Sequence, residues 1–191
     1  MTKIVLASAS PRRRELLQML GVRNLEIVPA RGGEHPNPEL APAELVTDLS
    51  RCKAREVALL RSPEELVIAA DTVVVLDGAI LGKPRDRTDA QRMLTALSGR
   101  SHSVYTGFTL ILGEREESAA ERSLVFFRPL SPEEIARYID TGEPMDKAGS
   151  YGVQGIGSLF VERIEGDFFN VMGLPLCALG KALRRFGVEL I

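Results

Sequence analysis

The sequence predicts an α/β protein with a mixed β-sheet. Lys3–Ala7 reads as a short buried strand that runs directly into a helix, a βα unit. Leu66–Leu76 is a strongly apolar strand ended by the turn signal Asp77-Gly78. Ser103–Leu112 and Ser123–Pro129 alternate in the manner of paired strands. βα units and hairpins in one chain call for a sheet holding both strand senses.

The elements follow in order. Pro11–Leu20 is a helix with Ser10 at its N-cap, proline at its first position and Gly21 as its stop. Leu25–Pro29 is a second strand, and Ala30–Leu40 is a loop rich in Gly and Pro. Pro42–Leu60 is a long helix that tolerates a proline in its first turn. Thr88–Leu97 is a helix with Thr88 as cap and Gly99 as stop. Ser131–Thr141 opens Ser-Pro-Glu-Glu, which places acids in the first helical turn. Leu159–Ile164 is a strand, and Pro175–Phe186 closes the chain as a helix. No repeat or linker divides the sequence, and 191 residues suit one domain, or one domain of two lobes.

Composition narrows the class of function. Hydrophobic residues make up 45% and charged residues 26%, enough for a substantial core. A formal charge of −2, no Trp and few aromatics argue against a nucleic-acid platform. No run is long enough to span a bilayer and no apolar leader follows a basic start, so the expected compartment is the cytoplasm, with no membrane partner. Cys52 and Cys177 have no metal-ligand spacing and are expected to be buried thiols.

Three anomalies point to chemistry. The helix at Pro11 opens with Arg12, Arg13 and Arg14, where the positive end of the helix dipole favours acids. Either the arginines extend into solvent, or Ser8, Ser10, the free N–H groups and the arginines form a phosphate cradle. Asp71 lies in the most apolar strand, Val67–Val75. It is either a structural acid with a neighbouring partner, or a metal ligand or general base; a cation with a phosphate site would explain both anomalies. Lys53 falls on the stripe of Val46, Leu49, Val57 and Leu60, which leaves snorkelling or a turn toward a site.

Other segments are weaker alone. Lys83 is displayed between Gly82 and Pro84, and Glu34 stands in a loop where acids are usually solvated. His102 is catalytic or, more commonly for a lone histidine, structural. The glycines of Asp146–Gly155 permit close approach of backbone to a ligand, or simply make an irregular loop.

Together these segments resemble the Maf family of nucleoside triphosphate pyrophosphatases. The resemblance is carried by Leu6–Arg13, Arg51–Ala54, Ala70–Val74, Gly82–Pro84, Ser98–Gly107, Asp146–Gly155 and Asn170–Pro175, in family order along nearly the whole chain. It implies an elongated mixed sheet with flanking helices, two lobes around a cleft, similar to inosine triphosphate pyrophosphatases. It also implies hydrolysis between the α- and β-phosphates with a divalent cation, Mg²⁺ or Mn²⁺, and a possible homodimer.

By the same resemblance Asp71 is the proton acceptor. Ser8, Arg13, Glu34, Lys53 and Lys83 line the shared polar cleft, with Glu34 and Asp71 toward the metal. Arg12, Thr72 and Gln154 match the positions that separate substrate subgroups, and they match the dTTP/UTP type. Gly33 stands before Glu34 where the family commonly has an acid. The alternatives are a pyrophosphatase for 7-methyl-GTP or another modified nucleotide, and a nucleotide-binding regulator of septum formation.

Overall fold

The computed structural model describes residues 2–32 and 36–191. Its strands are β1 (Ile4–Leu6), β2 (Leu25–Ile27), β3 (Leu66–Leu76), β4 (Ala79–Leu81), β5 (Ser101–Leu112), β6 (Arg115–Phe127) and β7 (Val161–Glu165). The helices are α1 (Pro11–Met19), α2 (Pro42–Ala58), α3 (Arg87–Leu97), α4 (Pro132–Asp140), α5 (Phe168–Met172) and α6 (Leu176–Arg185). The seven strands form one sheet in the order β2-β1-β3-β5-β6-β7, with β4 paired to β3. β1 is parallel to β2 and β3, whereas β4 and β7 run antiparallel to β3 and β6. The sheet is therefore mixed, as the βα units and hairpin signals predict.

Two compact units divide the chain. The first holds Met1–Asp71, Thr106–Glu121 and Gly173–Ile191; the second holds Thr72–Tyr105 and Arg122–Met172.

In the first unit both faces of the parallel strands are covered. Val5, Ala7, Val67 and Ala69 pack with Ala54 and Val57 of α2, while Leu6, Leu66 and Ile68 on the alternate face are fully buried. Each valine, leucine or isoleucine among them contributes about 1.5–3 kcal/mol when fully buried. α2 lies on β5 at Gly107, where a Cβ would stand 2.5 Å from the Val46 carbonyl oxygen and 2.6 Å from the Thr47 nitrogen. Behind that contact, the Ser50 hydroxyl bonds to Thr109 Oγ1 at 2.8 Å, which bonds to Ser118 Oγ at 2.8 Å.

The second unit packs α3 and α4 around Leu94, Leu97, Val104, Phe127 and Ile135. Asp77 and Gly78 both adopt positive φ, 50° and 79°, the turn that the Asp-Gly pair predicts between β3 and β4. α4 carries the expected capping box: Ser131 Oγ accepts from the Glu134 N–H at 3.2 Å, and the Glu134 carboxylate accepts from the Ser131 N–H at 2.9 Å.

Several expectations are corrected. β6 begins at Arg115 rather than Ser123, because Arg115–Arg122 has no apolar alternation to reveal it. Ion pairs of Glu116 with Arg51 and Arg55, and of Glu117 with Arg185, dress that charged stretch. Both cysteines are exposed; Cys52 lies about 100° around α2 from Lys53 and so off the packed stripe. α2 ends at Ala58, leaving Leu60 exposed. Asp86, not Thr88, caps α3 by accepting from the Asp89 N–H at 2.8 Å. Ile156–Phe160 forms a 3₁₀ turn, so β7 starts at Val161.

Candidate active site

Chain order around β1 places the candidate residues of the first unit. From β1 the chain passes through α1 to β2 on one side, and β3, reached through α2, lies on the other. The carboxyl end of β1 is thus a switch point, the place where open α/β sheets leave a crevice for ligands. Ser8 sits just beyond that end, and Ala7 still donates to the Ile68 carbonyl of β3 at 2.8 Å. β3 continues from Ile68 past the end of β1 and carries Asp71 there.

Ser8 is nearly buried, and its Oγ accepts from the Ser10 N–H at 3.2 Å and from Arg13 Nη1 at 3.1 Å. Arg13 Nε donates to the Gly173 carbonyl at 2.8 Å. The guanidinium is therefore held at two points, with its charge at the start of α1. Ser10 is the N-cap residue but makes no side-chain capping bond, and the first turn contains no acid. Ser8 bonds the N–H of Ser10 itself, so the first turn of α1 has no side-chain cap. Arg12 is half-buried and Arg14 exposed on the same turn.

Lys53 and Asp71 meet. Lys53 Nζ donates to Asp71 Oδ1 at 2.5 Å, and the two side chains are only 18% and 11% exposed. The pairing follows from register. Val67, Ala69 and Asp71 share one face of β3, and that face is covered by α2 at Ala54 and Val57, adjacent to Lys53. Of the two sequence alternatives for Lys53, the ammonium turns inward to an acid rather than snorkelling to solvent.

In the second unit, Thr72 is half-buried on β3, and Lys83 and Gln154 are exposed on loops. Their loops are tied together: the Gly149 N–H donates to the Gly82 carbonyl at 3.0 Å. Gly149 has φ +69°, and a Cβ there would crowd both Val74 methyls at 3.0 Å, which favours glycine. Glu34 lies outside the described residues. Among the described residues, no group of three or more His, Cys, Asp or Glu is placed to hold a metal ion.

His102 proves structural. It is buried, its Nε2 bonds to Tyr151 Oη at 2.8 Å, and its ring meets Phe127 and Tyr151 edge-on. Burial pushes its pKa down to about 4. Of the two alternatives for the glycines of the Asp146–Gly155 loop, the packing around two of them fits an irregular loop folded onto its own unit. The spaces beside Gly152 and Gly155 are filled by Lys147 and Glu143 of the same unit. Sequence reasoning missed the role of Gly173, whose carbonyl orients Arg13. It also missed Asn170, which donates to the Val104 carbonyl and to Ser123 Oγ, both at 3.0 Å. Both lie in the Asn170–Pro175 segment, whose only signal was its place in the family pattern.

Residues 3–186 match the family model described as Maf-like protein. The chain belongs to the Maf family. A relative from Carboxydothermus hydrogenoformans is 52% identical over 187 residues, covering 97% of this chain and 99% of its own. Others from Moorella thermoacetica (50% identical; 99% and 97% covered) and Symbiobacterium thermophilum (49%; 98% and 95%) are as similar. All three carry the name dTTP/UTP pyrophosphatase. Among solved structures, a HAM1 protein from Coxiella burnetii aligns over 97% of this Maf chain and 100% of its own. Its TM-score is 0.53 at 16% identity, a likeness of fold. No helix among the described residues is long and apolar enough to cross a membrane.

Proposed function

We propose that this Maf protein hydrolyses dTTP and UTP between the α- and β-phosphates, giving the nucleoside monophosphate and pyrophosphate, and that its 191 residues act as one domain. The observation that carries the reading is the pairing of Lys53 on α2 with Asp71 on β3 where β3 outruns β1, with Ser8 and Arg13 at the neighbouring strand end. Relatives of this name, about half identical over almost the full chain, support the same reaction and substrates.

A nucleoside triphosphate carries about four negative charges near neutral pH, so neutralising them dominates the chemistry. Arg13, already braced by Ser8 and Gly173, meets phosphate oxygens with a fixed guanidinium, and the open first turn of α1 adds N–H donors. Arg12 and Lys83 add positive charge. Lys53 fixes the Asp71 carboxylate. Asp71 orients a water and takes its proton as the water oxygen attacks the α-phosphorus. The bond to the bridging oxygen breaks, and its electron pair leaves with pyrophosphate. Thr72 and Gln154 bond the polar edge of the pyrimidine ring; a pocket built on such bonds rejects bases that leave them unmade.

The donor set suits a hard divalent cation. Lys53 engages Asp71 Oδ1, which leaves Oδ2 as a carboxylate donor, and Glu34 would supply a second. Mg²⁺ is commonly held by one or two carboxylates together with substrate phosphates, and Mn²⁺ likewise suits oxygen donors. When bound, the ion supplies charge neutralisation on the phosphate oxygens.

The test is a panel of dTTP, UTP, CTP, purine triphosphates and 7-methyl-GTP with Mg²⁺ or Mn²⁺, resolving pyrophosphate from orthophosphate. Pyrophosphate chiefly from dTTP and UTP is expected. Orthophosphate as the product, or preference for a purine, would overturn the reading.

A further inference from the structure

The turn Val153-Gln154 is held at both ends by one carboxylate and one phenol. On its leading side the Gly152 N–H donates to Tyr138 Oη at 3.1 Å. On its trailing side the Ile156 N–H donates to Glu143 Oε2 at 2.9 Å and the Gly157 N–H to Glu143 Oε1 at 3.2 Å. The Tyr138 hydroxyl donates to Glu143 Oε1 at 2.9 Å and closes the ring. Glu143 is itself anchored, because its carbonyl accepts from Lys147 Nζ at 2.6 Å.

The glycines of this segment make the clamp possible. A Cβ on Gly155 would lie 2.5 Å from the Glu143 carboxyl carbon, and one on Gly157 would lie 2.7 Å from Tyr138 Oη. The backbone thus wraps directly onto the two side chains. Burial by itself would raise the Glu143 pKa, but the donors from Ile156, Gly157 and Tyr138 outweigh it and hold the group below the usual carboxylate range. Burial pushes the Tyr138 phenol up, which keeps it a donor.

Gln154 itself is exposed at the tip. A long exposed side chain on a free loop must be ordered whenever it meets a ligand, and that ordering weakens binding. A turn pinned on both sides leaves only the Gln154 side chain to order.

We propose that Glu143, closed by Tyr138, is a positioning residue for nucleobase selection, clamping the turn so that the Gln154 amide is presented to the base edge. Glu143 has this role only if Gln154 meets the base, as proposed above. Its effect falls on KM and on base preference, and not on the step at the α-phosphorus.

The experiment compares Glu143→Gln, Tyr138→Phe, Gln154→Ala and the double variant E143Q/Q154A, with steady-state kinetics on dTTP, UTP and a purine triphosphate. In Glu143→Gln an amide NH₂ faces N–H donors; Tyr138→Phe is the milder change, removing one hydroxyl. Glu143→Gln is expected to raise KM for dTTP and UTP about tenfold and to erode pyrimidine preference by a similar factor, with kcat within about twofold. Tyr138→Phe is expected to do the same to a smaller degree. The double variant is expected to be no worse than Gln154→Ala alone, because both changes remove one interaction. If the Glu143 effect multiplies with that of Gln154→Ala, or falls on kcat without changing base preference, Glu143 is only a structural residue and the proposal fails. If Gln154→Ala alone leaves base preference unchanged, the reading of Gln154 fails, and the proposal fails with it.

Discussion

Gly107→Ala would place a methyl group where the backbone of α2 already lies. The added Cβ would stand 2.5 Å from the Val46 oxygen and 2.6 Å from the Thr47 nitrogen, whereas ordinary contact begins at 3.4 Å. Neither atom is the end of a flexible side chain, so the helix must withdraw from β5 by about 1 Å. Overpacking of this kind costs about 1–3 kcal/mol, which for a chain of this size lowers the melting temperature by about 4–8 °C at the middle of that range. The same displacement carries Lys53, about two turns further along α2, away from Asp71. Misplacing a catalytic group by ~1 Å reduces rate by on the order of 10²-fold. Thermal unfolding and pyrophosphate release from dTTP, measured together, provide the assay. A variant that melts within a degree of the parent and keeps its kcat would refute the claim that this contact sets the helix and the pair.

Two further outcomes follow from the geometry. Arg13→Lys keeps the charge but cannot reach both Ser8 and the Gly173 carbonyl; kcat/KM should fall about 10–100-fold with little change in denaturant midpoint, and unchanged kinetics would contradict the phosphate role. His102 has a folded pKa of about 4 against an ordinary 6.5, so the unfolded chain binds the extra proton between those values. Its contribution is therefore fully present above pH 6.5 and is lost as pH falls toward 4, a change of about 3 kcal/mol. Carboxylates held low, such as Glu65 and Glu134 near 2, begin to cost stability only below about pH 4.5. Urea unfolding from pH 6.5 to 4.5 should show the slope in the parent and lose it in His102→Gln; an equal slope in both would refute the assignment.

Local chemistry was legible wherever it is strong. The Ser131-Glu134 box, the Asp77-Gly78 turn and the apolar run of β3 each act over a few residues, and each is where the sequence places it. The anomalies at Arg13, Lys53 and Asp71 were visible as residues out of place. Their partners were not, because the Lys53–Asp71 pair depends on which strand α2 covers and at what height. Likewise the Arg13–Gly173 bond joins positions 160 residues apart. The charged half of β6 was hidden because its neighbours and ion pairs, not its own pattern, make it a strand. The glycines at positions 152 and 155 signalled close approach, but a sequence does not say whether a ligand or the protein's own Lys147 and Glu143 will fill the space.

Asp71→Asn tests the central claim most directly, with binding and cleavage measured separately. Titration with a non-hydrolysable dTTP analogue should give an affinity within about tenfold of the parent, while pyrophosphate release from dTTP falls by on the order of 10²–10⁴-fold. Release at the parent rate would show that the carboxylate beside Lys53 is not the group that activates water.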